Sequence, residues 1–280
     1  MDLSDFLQEI LFVVVLYKKK PEQSPSYNTL MELARHTQTT LSIFVYDNSP
    51  APSTSHASHI IYRHDPSNAG TGKAYNEASA LAADLGKKWM HLLDQDTATT
   101  ISYYHKLFDA VACNPQGVVF VPRLYDPDGF VSPFRWRWGS GERIDVTQAT
   151  LPLQAYRFVN SGLLVLHSTF REVDGYHPEI PLDFSDIAFG EKLKTQVEHF
   201  IVVDDSLRHD LSETSALPWR ASLERFHFFC LGAFVMGREY GPFYVYFGRT
   251  FLRAVYLTLL YRRAGFIKTF FVHATQAPGT

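Results

Sequence analysis

The chain alternates unbroken apolar runs with polar stretches of helical period. Leu11 to Leu16 is a continuous run of Leu, Phe and Val, the pattern of a strand covered on both faces. Residues 26–36 then read as a helix, and Leu41 to Tyr46 as a second strand that stops at the turn cluster Asp47-Asn48-Ser49-Pro50. A short strand over 60–62, a small-residue helix over 73–85, a strand over 89–93, a helix over 103–111 and a strand over 118–121 continue the alternation. Repetition of this kind predicts a doubly wound α/β domain with its ligands at the carboxyl ends of the strands.

From Asp126 to Gln154 the period is lost among Pro, Gly, Trp and Arg, and the segment reads as loops or a hairpin over the site. Order returns with an apolar strand over 158–166, interrupted by Asn160-Ser161-Gly162. A helix beginning near Asp183 or Asp186 and a strand over 200–203 follow, the latter leading to His209. After Pro218 the chain is helical in character and rich in aromatics. The expected division is a catalytic domain over 1–215, with nucleotide binding to about residue 125 and acceptor binding from 126, and a helical extension over 216–280.

Composition narrows the classes. With 280 residues, 46% hydrophobic and 20% charged, the chain can bury a sizeable core, so disorder is not the expectation. A formal net charge of -3 argues against nucleic-acid binding by the whole chain. The charge is uneven, however: from Ala216 onward eight Lys/Arg face two acids, giving +6 and leaving -9 for the rest. The two cysteines, Cys113 and Cys230, form no CxxC pair, so neither a disulfide framework nor a thiolate zinc site is expected, and a reducing cytosol suits the chain. The apolar run over 10–17 is too short to span a membrane, and Lys18-Lys19-Lys20 follows it, the reverse of a secretory signal.

Five clusters carry candidate chemistry. Asp94-Gln95-Asp96 closes a buried strand with two carboxylates, oxygen ligands of the kind magnesium or manganese prefers; a lone triplet of this sort is as readily a solvated turn or a cap. Asp47-Asn48 ends another strand, where a carboxylate can accept the imide N–H of uracil or thymine, or simply build an Asx turn. Asn68-Ala69-Gly70-Thr71-Gly72, with Asn76 in the helix that follows, permits close backbone approach and offers helix N-terminal amides to a phosphate. Asp183 and Asp186 open a helix, whose dipole favours an ionised carboxylate suited to general-base work, or simply to capping the helix. His209, after a strand, can complete a metal shell or pack structurally.

Taken in this order, with Val13 to Tyr17, Asn160-Ser161-Gly162 and Ser185-Asp186, these residues resemble the family-2 glycosyltransferases of the GT-A fold, and most of all their bacterial rhamnosyltransferase-like branch. The resemblance spans roughly Leu11 to Glu213, and Arg225-Phe-His-Phe-Phe229 is similar to a segment that branch carries beyond the catalytic domain. It implies a mostly parallel central sheet flanked by helices, with Tyr17, Asp47, Asn48, Asn68, Gly70, Gly72, Asn76 and Asp94 on the nucleotide sugar. It further implies Asp96, His209 and Asp94 at a magnesium or manganese ion, and Asp186 as the catalytic base. Two departures stand out: Leu16-Tyr17-Lys18 replaces a Thr-Tyr-Asn-like turn, and Asp186-Ile187-Ala188 lacks the branch's second acid, which leaves Asp183 as a second candidate for the base.

The expected activity is therefore inverting transfer of rhamnose or a hexose or galactofuranose from a dTDP- or UDP-sugar to a saccharide acceptor, lipid-linked in O-antigen or capsule synthesis. Trp136 and Trp138, with Asn160 and Ser161, are expected on the acceptor, since aromatic faces suit sugar rings, with structural packing of the two tryptophans as the equal alternative. The basic, aromatic tail reads either as an interfacial helix on the inner face of an anionic membrane or as core packing or a homodimer contact. Two other readings stand beside this one: a nucleotidyltransferase on the same fold, although Leu16-Tyr17-Lys18 lacks the glycines of such a loop, and a non-catalytic saccharide- or membrane-binding module.

Overall fold

A computed structural model describes residues 2–53, 60–209 and 218–276, apart from the side chains of His209 and Gln276. The first half runs α1 (Leu3–Gln8), β1 (Ile10–Leu16), α2 (Pro25–Thr37), β2 (Ser42–Asp47), β3 (Ile61–His64), α3 (Thr71–Asp84), β4 (Trp89–Asp94), β5 (Thr97–Ala98), α4 (Ile101–Cys113) and β6 (Val119–Asp126). Short strands follow: β7 (Gly129–Ser132), β8 (Phe134–Arg137), β9 (Ser140–Arg143), β10 (Thr150–Pro152), β11 (Tyr156–Arg157) and β12 (Leu163–Leu166). The chain then continues through α5 (His167–Glu172), α6 (Ser185–Leu193), β13 (His199–His209), α7 (Trp219–Glu239), α8 (Phe243–Tyr261) and α9 (Gly265–Gln276).

The main sheet has the order β10-β13-β6-β12-β4-β1-β2-β3. Strands β4, β1, β2 and β3 are mutually parallel, and β13 is parallel to β6. Between these two groups β12 runs antiparallel to both β4 and β6. All seven residues of β1 are buried because both faces are covered. Leu11, Val13 and Val15 pack with Ala74, Tyr75 and Ala78 of α3, whereas Phe12, Val14 and Leu16 pack with Leu30 of α2 and Leu107 of α4. Burial of one such side chain contributes about 1.5–3 kcal/mol, so this strand anchors both layers.

The irregular segment over 126–154 resolves into β7, the β8–β9 hairpin and β10, and β11 joins the hairpin in a second sheet. The strand expected over 158–166 is shorter than its apolar run. Gly162 has φ +81°, and a Cβ there would lie 2.7 Å from Cγ of Pro122, so the chain turns at Asn160–Gly162 and only Leu163–Leu166 joins the ladder. Helices α1 and α5 are six residues each, too short for a periodic signal.

Helices α7 to α9 share an aromatic core of Phe226, Phe234, Phe266 and Phe270. A further cluster ties them to the rest of the chain, joining Ala233, Met236 and Tyr246 to Phe134 of β8 and Ile187 of α6. Their outer face leaves Tyr244, Leu252, Tyr256, Leu259 and Leu260 exposed. No described helix is long and apolar enough to cross a membrane. The boundary expected at 215/216 lies outside the described residues.

Candidate active site

Strand β4 delivers Asp94 to its carboxyl end, and the next two residues turn into β5. The entry of α2 holds this turn. Ser24 caps α2 and donates its hydroxyl to the Gln95 carbonyl at 2.7 Å. The Ser26 hydroxyl reaches the Asp94 carbonyl and, at 2.8 Å, that of Thr97. The Tyr17 amide donates to Oε1 of Gln95 at 2.8 Å, bringing the end of β1 against the same turn. With its backbone so committed, the turn presents two half-buried carboxylates one residue apart. Asp94 accepts the Ser161 hydroxyl on Oδ2 and the Tyr75 hydroxyl, at 3.3 Å, on Oδ1.

Asp186 lies in the first turn of α6 and is half-buried. Desolvation pushes its carboxyl from an ordinary value of 3.8 up to about 7, the charges of Asp94 and Asp183 add to the rise, and the Ile187 amide, donating to Oδ1 at 2.8 Å, opposes it. A carboxylate poised near neutrality suits a general base. Tyr75 and Tyr176 both feel the charges of the two acids. Their ring centroids are 5.1 Å apart, both are buried, and burial with the fields of Asp94 and Asp186 holds both phenols well above their ordinary range.

The Asn68–Gly72 loop locks this arrangement from the side. Gly70 has φ +89°, and a Cβ there would meet the Pro181 carbonyl oxygen at 1.7 Å, so glycine is required where the loop touches the segment entering α6. Gly72 sits under Tyr176, and Asn68 takes a left-handed φ of +50°. The Asn76 amide donates to the Tyr176 carbonyl at 2.9 Å, and its oxygen accepts the Tyr176 N–H at 2.8 Å. Tyr176 in turn donates to Oδ1 of Asn160 at 2.5 Å and stacks on Phe189 of α6, with centroids 4.4 Å apart.

Asp47 is 1% exposed, and its carboxylate accepts the Ser49 and Ser53 amides and, at 2.6 Å, the Tyr62 hydroxyl. Its neighbour Asn48 donates to the Gly70 carbonyl at 3.4 Å, while its Oδ1 is buried without a partner among the described residues. That orphan acceptor is a place for a ligand donor. Asn160 and Ser161, expected on the acceptor, are buried, with their side chains hydrogen-bonded to Tyr176 and Asp94. Trp136 lines a cavity beside α8, and Trp138 is exposed at a φ of +52°. Asp183 lies 3.9 Å from Arg225, and burial raises its carboxyl against the pull of Arg225 and Arg253. His209 pairs through its backbone with Thr97 beside the acidic turn, but its side chain lies outside the described residues.

No group of three His, Cys, Asp or Glu side chains among the described residues is placed to hold a metal ion. Magnesium or manganese asks for less, since one or two carboxylates completed by substrate phosphates and water suffice. Asp94 and Asp96 are the two carboxylates of this turn, and Asp94 already accepts hydroxyls on both oxygens. Sequence reasoning missed Ser24, Ser26, Tyr75 and Tyr176. A signal existed for two of them: Ser24-Pro25 is a helix-start pattern, and Tyr75 is the one aromatic in a helix otherwise built from small and polar residues and Leu81.

Solved structures share this architecture. GalNAc-T7 with UDP, GalNAc and Mn2+ superposes with a TM-score of 0.53 at 14% identity, over 72% of this chain and 44% of that one, so this chain spans less than half of its length. The mannosyltransferase PcManGT from Pyrobaculum calidifontis, in complex with GDP-Man and Mn2+, gives 0.52 at 12% identity over 97% and 76%. The chain has the GT-A fold. In that GT-A frame the acidic turn, the Asn68–Gly72 loop and the entry of α6 lie together at one rim of the sheet. No family model and no curated protein matches the sequence.

Proposed function

We propose that the chain is an inverting, metal-dependent glycosyltransferase that moves a sugar from a dTDP- or UDP-linked donor to a saccharide acceptor. The observation that carries this reading is Asp186, a carboxylate pushed up to about 7 within the electrostatic reach of Asp94 at the carboxyl end of β4. Asp186 takes the proton from an acceptor hydroxyl, and the oxygen attacks the anomeric carbon from the face opposite the departing diphosphate, so the configuration inverts. Asp183 adds negative charge beside this base and stands as its alternate.

On the donor side the Asp47 carboxylate shapes the loop, and the unpartnered Oδ1 of Asn48 accepts the imide N–H of the base. Tyr17, 37% exposed at the end of β1, offers a ring face to the nucleotide, and the Asn68–Gly72 loop closes its side. A magnesium or manganese ion held by Asp96 and Asp94, with His209 nearby, would supply charge neutralisation for the leaving diphosphate. Support for a nucleotide sugar and a divalent cation comes from the UDP, GDP-Man and Mn2+ of the two similar structures.

The donor sugar of this proposal is rhamnose, a hexose or galactofuranose, and the acceptor is a lipid-linked O-antigen or capsule precursor meeting Trp136 and Trp138. The exposed apolar residues of α8, with Arg262, Arg263 and Lys268 nearby in sequence, suit an anionic membrane surface or a second copy of the chain. Titration calorimetry with UDP and dTDP, with and without manganese, tests the core of the reading. Metal-dependent binding of either nucleotide, followed by hydrolysis of at least one sugar in a donor panel, is expected; absence of both refutes it.

A further inference from the structure

The entry of the base helix borders a cavity whose arginines the chemistry above leaves unused. It holds about 190 Å3 and is lined by Trp136 and Ser140 of the β8–β9 hairpin, Phe184 at the entry of α6, and Arg249, Thr250 and Arg253 of α8. That volume is below the roughly 300–1,000 Å3 of sites for drug-sized ligands, so it suits a single small group or one ring.

Its electrostatics are one-sided. Arg249 and Arg253 sit one helical turn apart on α8, and Arg225 of α7 adds a third guanidinium to the neighbourhood. The carboxylate of Asp183 opposes them, 3.9 Å from Arg225 and within the field of Arg253. Arg249 donates to the Ser140 hydroxyl at 3.0 Å, and Arg253 lies over the Phe229 ring at 4.2 Å, so both are positioned before any ligand arrives. Between them Thr250 is 1% exposed, and its hydroxyl has no hydrogen-bond partner among the described residues. A buried hydroxyl left unpaired beside a cavity is a group that a ligand atom can satisfy.

We infer that this cavity is a subsite for an oxyanion, phosphate or carboxylate, carried by the acceptor, with Arg249 and Arg253 pairing to it, Thr250 donating to it and Trp136 facing the adjoining sugar ring. Arginine suits this task because its planar fork matches both oxyanions. The assignment rests on the glycosyltransferase reading; Phe184, which lines the cavity, stands two residues before Asp186, so the cavity adjoins the entry of the base helix.

The test uses the full chain with manganese and whichever of UDP and dTDP binds, at saturation, so that the diphosphate region is filled. Glucose 6-phosphate, glucuronate and glucose are then titrated by calorimetry. At least one of the two anions is expected to bind about tenfold or more tighter than glucose, and which of them does so tells a phosphate-bearing from an acid-sugar acceptor. The double variant R249Q/R253Q should abolish the preference, and Thr250→Val should cut it about threefold. Because Arg253 also packs on Phe229, Arg253→Lys serves as the second variant, and it should retain most of the preference. If neither anion beats glucose, or the preference survives in the double variant, the subsite is refuted. In the unaltered protein, absence of binding of both UDP and dTDP sinks the glycosyltransferase reading, whereas nucleotide binding without anion preference sinks the subsite alone.

Discussion

Replacing Asp186 with asparagine keeps the outline of the side chain and removes its proton equilibrium, which separates what the carboxylate does for turnover from what it costs in stability. In the folded chain the carboxyl is pushed from 3.8 to about 7, first by desolvation and then by Asp94 and Asp183. In the unfolded chain it returns to its ordinary value. Between these two values the native state holds a proton that the unfolded state has already released, so stability falls as pH rises through that window. At about 1.36 kcal/mol per pH unit of difference, the native carboxylate costs at most about 2 kcal/mol at pH 5 and about 4 kcal/mol at pH 8. Residual solvent contact lowers both figures. The asparagine side chain is exempt, and its own desolvation is the same at either pH, so the diagnostic quantity is the pH difference.

The stability advantage of Asp186→Asn over the parent chain should therefore grow by about 2 kcal/mol between pH 5 and pH 8, or roughly 4 °C in Tm. Thermal unfolding of both proteins at the two pH values measures it. In parallel, transfer or donor-hydrolysis turnover should fall by about 10²–10⁴-fold with UDP affinity retained, and the parent's pH–rate profile should rise with a midpoint near pH 7. A Tm difference that does not change with pH, or normal turnover by the variant, refutes the reasoning.

Three further substitutions probe the frame around this carboxylate. Gly70→Ala places a Cβ 1.7 Å from the Pro181 carbonyl oxygen at a φ of +89°, so urea unfolding should report a loss of about 2–5 kcal/mol. Ser161→Ala strips Asp94 of a buried hydroxyl donor and should lower stability by about 1–3 kcal/mol in the same assay, with weaker UDP binding in manganese. Arg157 is 2% exposed and pairs with Glu191, which Lys194 also contacts at 2.5 Å; Arg157→Met leaves that acid short of a partner and should cost about 3–5 kcal/mol. An effect below about 1 kcal/mol at Arg157 would mean that the buried pair contributes little.

Local pattern made much of the architecture legible. The apolar run over 11–16 became β1 because a strand covered on both faces shows no alternation, and Asp94 was correctly placed at a strand's end because the run from Trp89 stops there. The antiparallel insertion of β12 was not legible: Leu163–Leu166 reads as a buried strand in either direction, and only its neighbours decide which. The apolar run from Phe158 overstated the length of that strand, which begins only after the interruption at Asn160-Ser161-Gly162, where Pro122 leaves no room for a Cβ at Gly162.

The amino-acid order by itself determined the main strands and helices, though not the six-residue α1 and α5 or the short strands over 129–157, and that acids, glycines and asparagines stand at strand ends, since these follow from neighbours within a few positions. Tertiary structure alone decided the rest. It set the Ser161 hydroxyl on Asp94, wedged the Pro181 carbonyl against Gly70, raised Asp186 by burying it near Asp94, and turned the arginines of α8 toward a cavity with Trp136. The physical reason is that hydrogen bonds, desolvation and charge act over ångströms in space, and these partners lie from tens of residues to more than a hundred apart along the chain.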